Sequence, residues 1–181
     1  QASASRLIML LSMFSLAGMF MVLYVHFRSA NLALQVMTSI PLAFIGAVIG
    51  VWLSGGVFSI ATMVGFVTLT GIAARNGIMM IAHYIHLMEY EGEKFDLAMI
   101  YRGTSERIIP VLMTALTASL ALIPLVIAAD EPGRELLHPV AVVIFCGLFS
   151  STLLDLTVRP LVFWKFGKKP ISTLLPQAIN P

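Results

Sequence analysis

The sequence predicts an all-α polytopic membrane protein built as a bundle of five transmembrane helices. Hydrophobic residues make up 59% of the 181 residues and charged residues only 11%, whereas a soluble globular domain carries about 25% charged residues. The mean hydropathy is correspondingly high, at +0.94. Five apolar runs are long enough to cross the hydrocarbon core, which takes about 20 helical residues. Strands are not an alternative, because they would leave backbone groups unpaired in lipid.

The five predicted spans cover approximately residues 6–27, 32–53, 58–88, 108–129 and 139–166. The connections between the first three spans are short. The first span is longer than the apolar core of a signal peptide, which has about 7–15 residues, so we interpret it as a true span. The second ends at the "SGG" of residues 54–56. The third is about 46 Å long as a helix. We therefore expect its end to project into the cytoplasm.

The last two spans carry the few polar groups of the C-terminal half. The fourth contains Pro124 and a stripe of small or weakly polar residues suited to close helix contact, namely Thr114, Thr117, Ala118 and Ala121. The fifth contains Asp155 and Arg159, which are four residues apart and can pair on one helix face. Between spans three and four we expect a cytoplasmic connector over 89–107 that lies at the membrane surface. A cytoplasmic tail follows over 167–181.

Basic residues in the connections indicate the orientation. The loops after spans one and three and the tail together contain Arg28, Lys94, Arg102, Arg107, Lys165, Lys168 and Lys169. The opposite side has only Arg6 and Arg134. Because excess Lys and Arg marks the cytoplasmic side, we predict a periplasmic N-terminus and a cytoplasmic C-terminus.

Several function classes find no support in the sequence. The net charge is only +2 and the basic residues are scattered, so no nucleic acid partner is indicated. The single cysteine, Cys146, excludes an internal disulfide and a multi-cysteine metal site. Motifs of the types H-E-x-x-H and G-x-S-x-G do not occur. The sequence therefore indicates neither an enzyme nor a cofactor.

Arg75 is the most unusual residue of the chain. No charged residue or histidine occurs from Ser29 to Ala74, and Arg75 then falls near the middle of the third span. An arginine placed in lipid costs about 2.5–3.5 kcal/mol on insertion scales. It should therefore face the bundle interior and meet an anion or water. Two interpretations remain open, a structural charge pair and an ion or proton pathway, and no acidic partner lies nearby in the sequence.

Two histidines on the same span are weak candidates for a metal site. His83 and His86 are three residues apart, and Glu89 follows three residues later. Imidazole suits Zn, Cu or Ni. Ligands at this spacing drift around a helix, however, so we favour ordinary interfacial histidines and assign no metal site.

Two segments together resemble a known family. They read "GFVTLTGIAARNGIMMIAHYIHLMEYEG" and "ERIIPVLMTALTASLALIPLVIA", and they resemble the C-terminal membrane helices of resistance–nodulation–division (RND) efflux pumps. The sequences "RNG" and "PVLMTALTASL" are most similar to those of the heavy-metal efflux branch. The resemblance implies a twelve-span membrane domain in two similar halves, of which this chain would be spans eight to twelve. With no initiator Met, we expect a C-terminal fragment of a longer protein.

The resemblance also implies roles for individual residues. In the family, a basic residue on span ten pairs with acids on span four, and protonation of those acids couples proton uptake to export. Arg75 matches this basic residue, whereas drug-exporting relatives usually have Lys and some metal exporters have a carboxylate. The family's relay further includes a Thr and an Arg at the start of span eleven, which match Thr114 and Arg107. Asn76 adjoins the site and is assigned a supporting role.

The function implied is that of the membrane half of a proton-driven pump in the bacterial inner membrane, exporting heavy-metal cations. Its expected partners are the lipid bilayer, the N-terminal half with its acidic span-four residues and periplasmic domains, two further copies in a homotrimer, a periplasmic adaptor and an outer-membrane channel. Two alternatives remain. One is a pump of the drug-exporting branch. The other is a non-transporting helical membrane scaffold, in which Arg75 would tolerate neutral replacement.

Overall fold

The structure, a computed structural model, describes residues 2–56, 58–127 and 137–178. Its helices, numbered in chain order, are α1 (Ala2–Phe27), α2 (Ala30–Met37), α3 (Ser39–Leu53), α4 (Ile60–Tyr90), α5 (Leu97–Ile127), α6 (Leu137–Phe166) and α7 (Lys168–Leu174), followed by a 3-10 turn at Pro176–Ala178. Within these residues five helical segments are long and apolar enough to cross a membrane, with α2 and α3 together forming the second. The predicted all-α fold class is confirmed.

The second span is interrupted at Thr38, which the sequence did not lead us to expect. α2 ends at Met37 and α3 begins at Ser39. Pro41 has no N–H to donate to the carbonyl of Met37, so the helical hydrogen-bond ladder loses one link here. Side-chain hydroxyls bond to the backbone around the break: Ser39 donates to the Val36 carbonyl at 2.7 Å, and Thr38 donates to the Leu34 carbonyl at 3.1 Å.

Helix α4 has well-defined ends close to the predicted limits. At its start, the Thr62 N–H donates to Ser59 Oγ at 3.3 Å and the Ser59 N–H donates to Thr62 Oγ1 at 2.9 Å, a reciprocal capping box. At its end, Gly92 adopts a φ of 70°, and the Glu93 N–H bonds back to the Leu87 carbonyl at 3.2 Å. The intervening helix carries Arg75 midway along its length.

Helix α5 begins at Leu97, well before the predicted span start near 108, so only residues 91–96 of the 89–107 connector are non-helical. Asp96 caps the helix, its Oδ1 accepting from the Met99 N–H at 2.8 Å. The helix then continues through Pro110. Proline is common in the first turn of a helix, but Pro110 lies well inside α5. The end of this span at 128–129 lies outside the described residues.

The C-terminal tail is folded against the bundle. Ile171 is fully buried and Ala178 nearly so, and the Ala178 carbonyl accepts from the Phe95 N–H at 2.9 Å. The Phe95 ring also stacks on Trp164, with centroids 5.5 Å apart. The α4–α5 connector and the tail therefore lie at the same end of the bundle.

Helices α3, α4 and α6 form the centre, and α1 and α5 lie at the periphery with much of their apolar surface exposed. α3 approaches α6 so closely at Gly46 that an added Cβ would collide with the Ser150 side chain and the Cys146 carbonyl. The Ser150 hydroxyl donates to the Leu42 carbonyl at 3.1 Å across this contact. Small residues thus bring two membrane helices into direct backbone contact.

Candidate functional site

Arg75 lies at the midpoint of α4, about 22 Å from either end of the helix. Its neighbours Ala74 and Asn76 are buried against the bundle, while Arg75 itself is exposed. Across the described ranges, no hydrogen bond or ion pair involves its guanidinium. The residue therefore presents a permanent charge, midway along the helix, on the side of α4 that the described bundle leaves open.

The opposite side of α4 contacts a second charged centre, formed by Asp155 and Arg159 of α6. Arg159 Nη2 lies 2.7 Å from Asp155 Oδ1, and both side chains are 4% exposed. The Ser151 hydroxyl donates to Asp155 Oδ2 at 3.1 Å. The predicted pairing at four-residue spacing is confirmed, and the pair is buried at the helix interfaces.

Residues from two other helices complete this centre, and neither was expected from the sequence. Arg159 Nη2 also donates to Ser39 Oγ at the start of α3. On α4, a Cβ added at Gly77 would lie 2.6 Å from Arg159 Nη1 and 2.8 Å from Ser39 Oγ. Gly77 thus allows α4 to lie directly against the ion pair. A cavity of about 10 Å³ beside Gln35, Ser39 and Arg159 is the size of one water molecule.

A third polar cluster joins α4 to α5 toward the connector end. His83 Nε2 lies 2.8 Å from Glu106 Oε2, and His83 Nδ1 lies 3.3 Å from Arg107 Nη2. Glu106 Oε1 in turn accepts from Arg102 Nε at 2.9 Å. Arg107, one of the predicted relay residues, therefore contacts a histidine that the sequence offered only as a weak metal ligand. The two contacts of His83 join residues more than twenty positions apart, so sequence spacing could not reveal them.

Thr114 is exposed on α5, and its hydroxyl donates to the Val111 carbonyl at 2.9 Å. The contacts of His83 with Glu106 and of Tyr84 with Thr104, at 2.7 Å, fix the antiparallel register of α4 and α5. If this register continues for eight residues from His83, or about 12 Å along the helix axis, Thr114 would lie level with Arg75. No hydrogen bond between these two side chains occurs in the described part of the chain.

The two histidines considered as metal ligands have different neighbours. His83 contacts α5, whereas the His86 ring packs on Tyr90 of its own helix with centroids 4.9 Å apart. Over residues 2–56, 58–127 and 137–178, no group of three or more His, Cys, Asp or Glu side chains is arranged to hold a metal ion. The geometry gives the His83–His86 pair no support as a metal site.

Comparison with known proteins identifies the type of bundle. Residues 1–167 match the model of the AcrB/AcrD/AcrF family. The chain is 39% identical over 144 residues to the cobalt-zinc-cadmium resistance protein CzcA of Cupriavidus metallidurans, an alignment that covers 80% of this chain and 13% of CzcA. It is 41% identical over 138 residues to the nickel and cobalt resistance protein CnrA of the same organism, covering 76% of this chain and 12% of CnrA.

A solved structure agrees with these sequence relatives. The crystal structure of a heavy metal efflux pump superimposes with a TM-score of 0.80 at 33% identity, over 93% of this chain and 16% of the pump. The chain thus spans only a small part of the length of the proteins it matches.

Proposed function

The chain belongs to the AcrB/AcrD/AcrF family, and from this premise we propose that it forms spans eight to twelve of a proton-driven RND pump that exports heavy-metal cations. The metal-resistance proteins among its relatives and the similarity to a heavy metal efflux pump support this substrate class. The five membrane-crossing segments match the five spans that the proposal requires.

The observation that carries the proposal is the setting of Arg75. Its charge lies midway along a helix that is apolar on both sides of it, on a face that no described helix covers. A charge so placed in a membrane is costly unless it meets an anion or water. Acids on the missing span four of the pump would supply that anion, and the open face of α4 supports a partner outside this chain.

Arginine stays protonated at every relevant pH, so Arg75 cannot itself carry the proton. Its role would be to stabilise the ionised form of the span-four acids, whose protonation then removes the attraction. Thr114, level with Arg75, would offer a hydroxyl to the same centre. Arg107, about two helical turns before Thr114 on α5, would extend the centre toward the connector end, and Asn76 would fix the position of α4 beside Arg75.

The protein is a multi-pass inner-membrane protein, as its spans and its relatives support. We propose that its N-terminus is periplasmic and its C-terminus cytoplasmic, because the basic residues concentrate at the connector and tail end. Alkaline phosphatase fused after Pro181 should then be inactive, and high activity would reverse the orientation. From the RND resemblance we further propose a homotrimer that works with a periplasmic adaptor and an outer-membrane channel.

The function is tested by expressing the full-length protein in a strain that lacks its own pumps. We expect increased resistance to at least one of cobalt, zinc, cadmium, nickel or copper ions, abolished by a protonophore. Increased resistance to organic drugs alone would assign the pump to the drug-exporting branch. Resistance to neither class, with the protein present at normal level in the membrane, would favour a non-transporting scaffold.

A further inference from the structure

The His83 imidazole lies between the side chains of two consecutive residues of α5, the carboxylate of Glu106 and the guanidinium of Arg107. Its side chain is only 13% exposed, whereas that of Glu106 is 41% exposed. On one side, Nε2 lies 2.8 Å from the Glu106 carboxylate, and on the other, Nδ1 lies 3.3 Å from Arg107 Nη2. The imidazole is therefore the link between a carboxylate that reaches solvent and the half-buried Arg107.

The chemistry of the partners fixes the protonation state of this arrangement. A guanidinium can only donate hydrogen bonds, so His83 Nδ1 must be the acceptor in its contact with Arg107. The ring proton then resides on Nε2 and is donated to Glu106. The imidazole is neutral in this geometry. A second proton, at Nδ1, would convert the acceptor into a donor that faces a cation, so it would break the contact with Arg107.

The Glu106 carboxylate can accept a hydrogen bond from a neutral imidazole and a stronger one from an imidazolium. The charged or titratable groups that face His83 within the described residues are Glu106 and Arg107, with Arg102 behind Glu106. Arg102 is itself held by Glu91 at 2.5 Å and by Glu93 at 2.7 Å. The adjacent Tyr84 bonds to Thr104 instead.

Within the described residues, one side chain holds Arg107 in this cluster. The Arg107 Nε is buried and makes no hydrogen bond inside the described ranges, so His83 is the one side chain there that bonds to the Arg107 guanidinium. The Arg75 level lies about 12 Å further along α4. A change of charge on His83 would therefore release Arg107 to move toward that level.

We propose that His83 is the group through which the proton leaves for the cytoplasm, and that its protonation releases Arg107. This inference rests on the proposed proton-driven function. A proton from the Arg75 level binds at Nδ1, giving an imidazolium with N–H groups at both nitrogens. The Nε2 proton passes to a Glu106 oxygen and then to water. Exchange with water returns the remaining ring proton from Nδ1 to Nε2, and Arg107 bonds to Nδ1 again.

His83→Gln in the full-length pump is the decisive variant. A glutamine amide can donate to Glu106 and accept from Arg107, so both contacts can persist while the ability to gain a proton is lost. His86→Gln is the matched control, because His86 lies on the same helix and packs on Tyr90. The measurement is zinc- or cobalt-dependent proton flux in proteoliposomes, with the pH on the cytoplasmic side varied from about 5.5 to 8, where histidine changes charge.

We expect His83→Gln to lose about a hundredfold in flux, the lower end of what a positioned proton-transfer group contributes, and to lose its dependence on cytoplasmic pH. His86→Gln should follow the wild-type profile. A His83→Gln pump with wild-type flux would overturn the inference while leaving the proposed function intact. So would a reduced flux that keeps the wild-type pH profile, because that result indicates a structural role. If the wild-type pump shows no metal-coupled proton flux, both proposals fail.

Discussion

Two arginines lie on opposite sides of α4 in very different surroundings. Arg159 of α6 is 4% exposed and is paired with Asp155 at 2.7 Å. Arg75 is exposed on the other side of the helix and makes no ion pair among the described residues. Gly77, two positions after Arg75, is the point at which α4 contacts the Arg159 guanidinium. A single turn of α4 thus separates a charge neutralised within the chain from one that is not.

From this difference we infer that Arg159 serves the fold, and we propose that Arg75 serves transport. Removing an ion from water costs several kcal/mol, and a buried pair recovers this only with good geometry and further hydrogen bonds. Arg159 has an acid four residues away and a hydroxyl on α3 to supply them. Arg75 has neither within the described residues. We therefore assign Arg159 to the packing of three helices. We propose that Arg75 pairs instead with acidic side chains on a span outside this chain.

Replacing Asp155 by leucine should have the largest effect on stability. It leaves Arg159 buried without its counter-ion, and breaking a buried pair from one side costs about 3–5 kcal/mol. Thermal unfolding of the detergent-purified protein measures the loss. The double change Asp155→Leu with Arg159→Met should recover most of it, because neither charge remains. Equal stability of the single and double variants would contradict the assignment of this pair to the fold.

Gly77→Ala should have the next largest effect, because its Cβ would lie 2.6 Å from Arg159 Nη1 and 2.8 Å from Ser39 Oγ. Overpacking of this kind costs about 1–3 kcal/mol. The matched control is Gly71→Ala on the same helix, where nothing described lies within 4 Å. The same unfolding assay compares them. If the Gly77→Ala protein were as stable as the control, α4 would not be packed tightly against the ion pair at Gly77.

Arg75→Met should have the smallest effect on stability of the three. It removes a charge that no described side chain binds, and an acid across the interface can neutralise itself by taking up a proton. We expect trimer assembly and the amount of protein in the membrane to stay close to wild type, measured by size-exclusion chromatography and immunoblotting. A loss comparable with that of Asp155→Leu would place Arg75 with the structural charges instead.

The helical spans were predictable because the membrane imposes them. An apolar run of about 20 residues has few alternatives to a spanning helix, and the Asp155–Arg159 pair followed from their spacing on one helix. The exact start of a helix and a break within a span were harder to predict, because they depend on single capping residues and prolines. The start of α5 depends on Asp96 as a cap, whereas the sequence interpretation began the fourth span near residue 108. The interruption at Thr38 depends on Pro41, which that interpretation passed over.

The parts of the site that join different helices could not be predicted from spacing. His83 meets Glu106 and Arg107 only because α4 and α5 pack antiparallel in one register. Gly77 and Ser39 become neighbours of Arg159 only when three helices come together. Arg75, in contrast, was proposed as a site residue from the sequence alone, because a charge inside a long apolar run is unusual wherever the helices lie.

The most direct test of the account is metal-dependent proton flux in proteoliposomes that contain the full-length pump with Arg75→Met. We predict no flux, because without the cation the opposing acids hold their protons and the cycle stops. Arg75→Lys should keep partial flux, since a point charge remains but the bidentate guanidinium is lost. If Arg75→Met pumps protons as fast as the wild type, Arg75 is a packing feature and the account of the proton pathway is wrong.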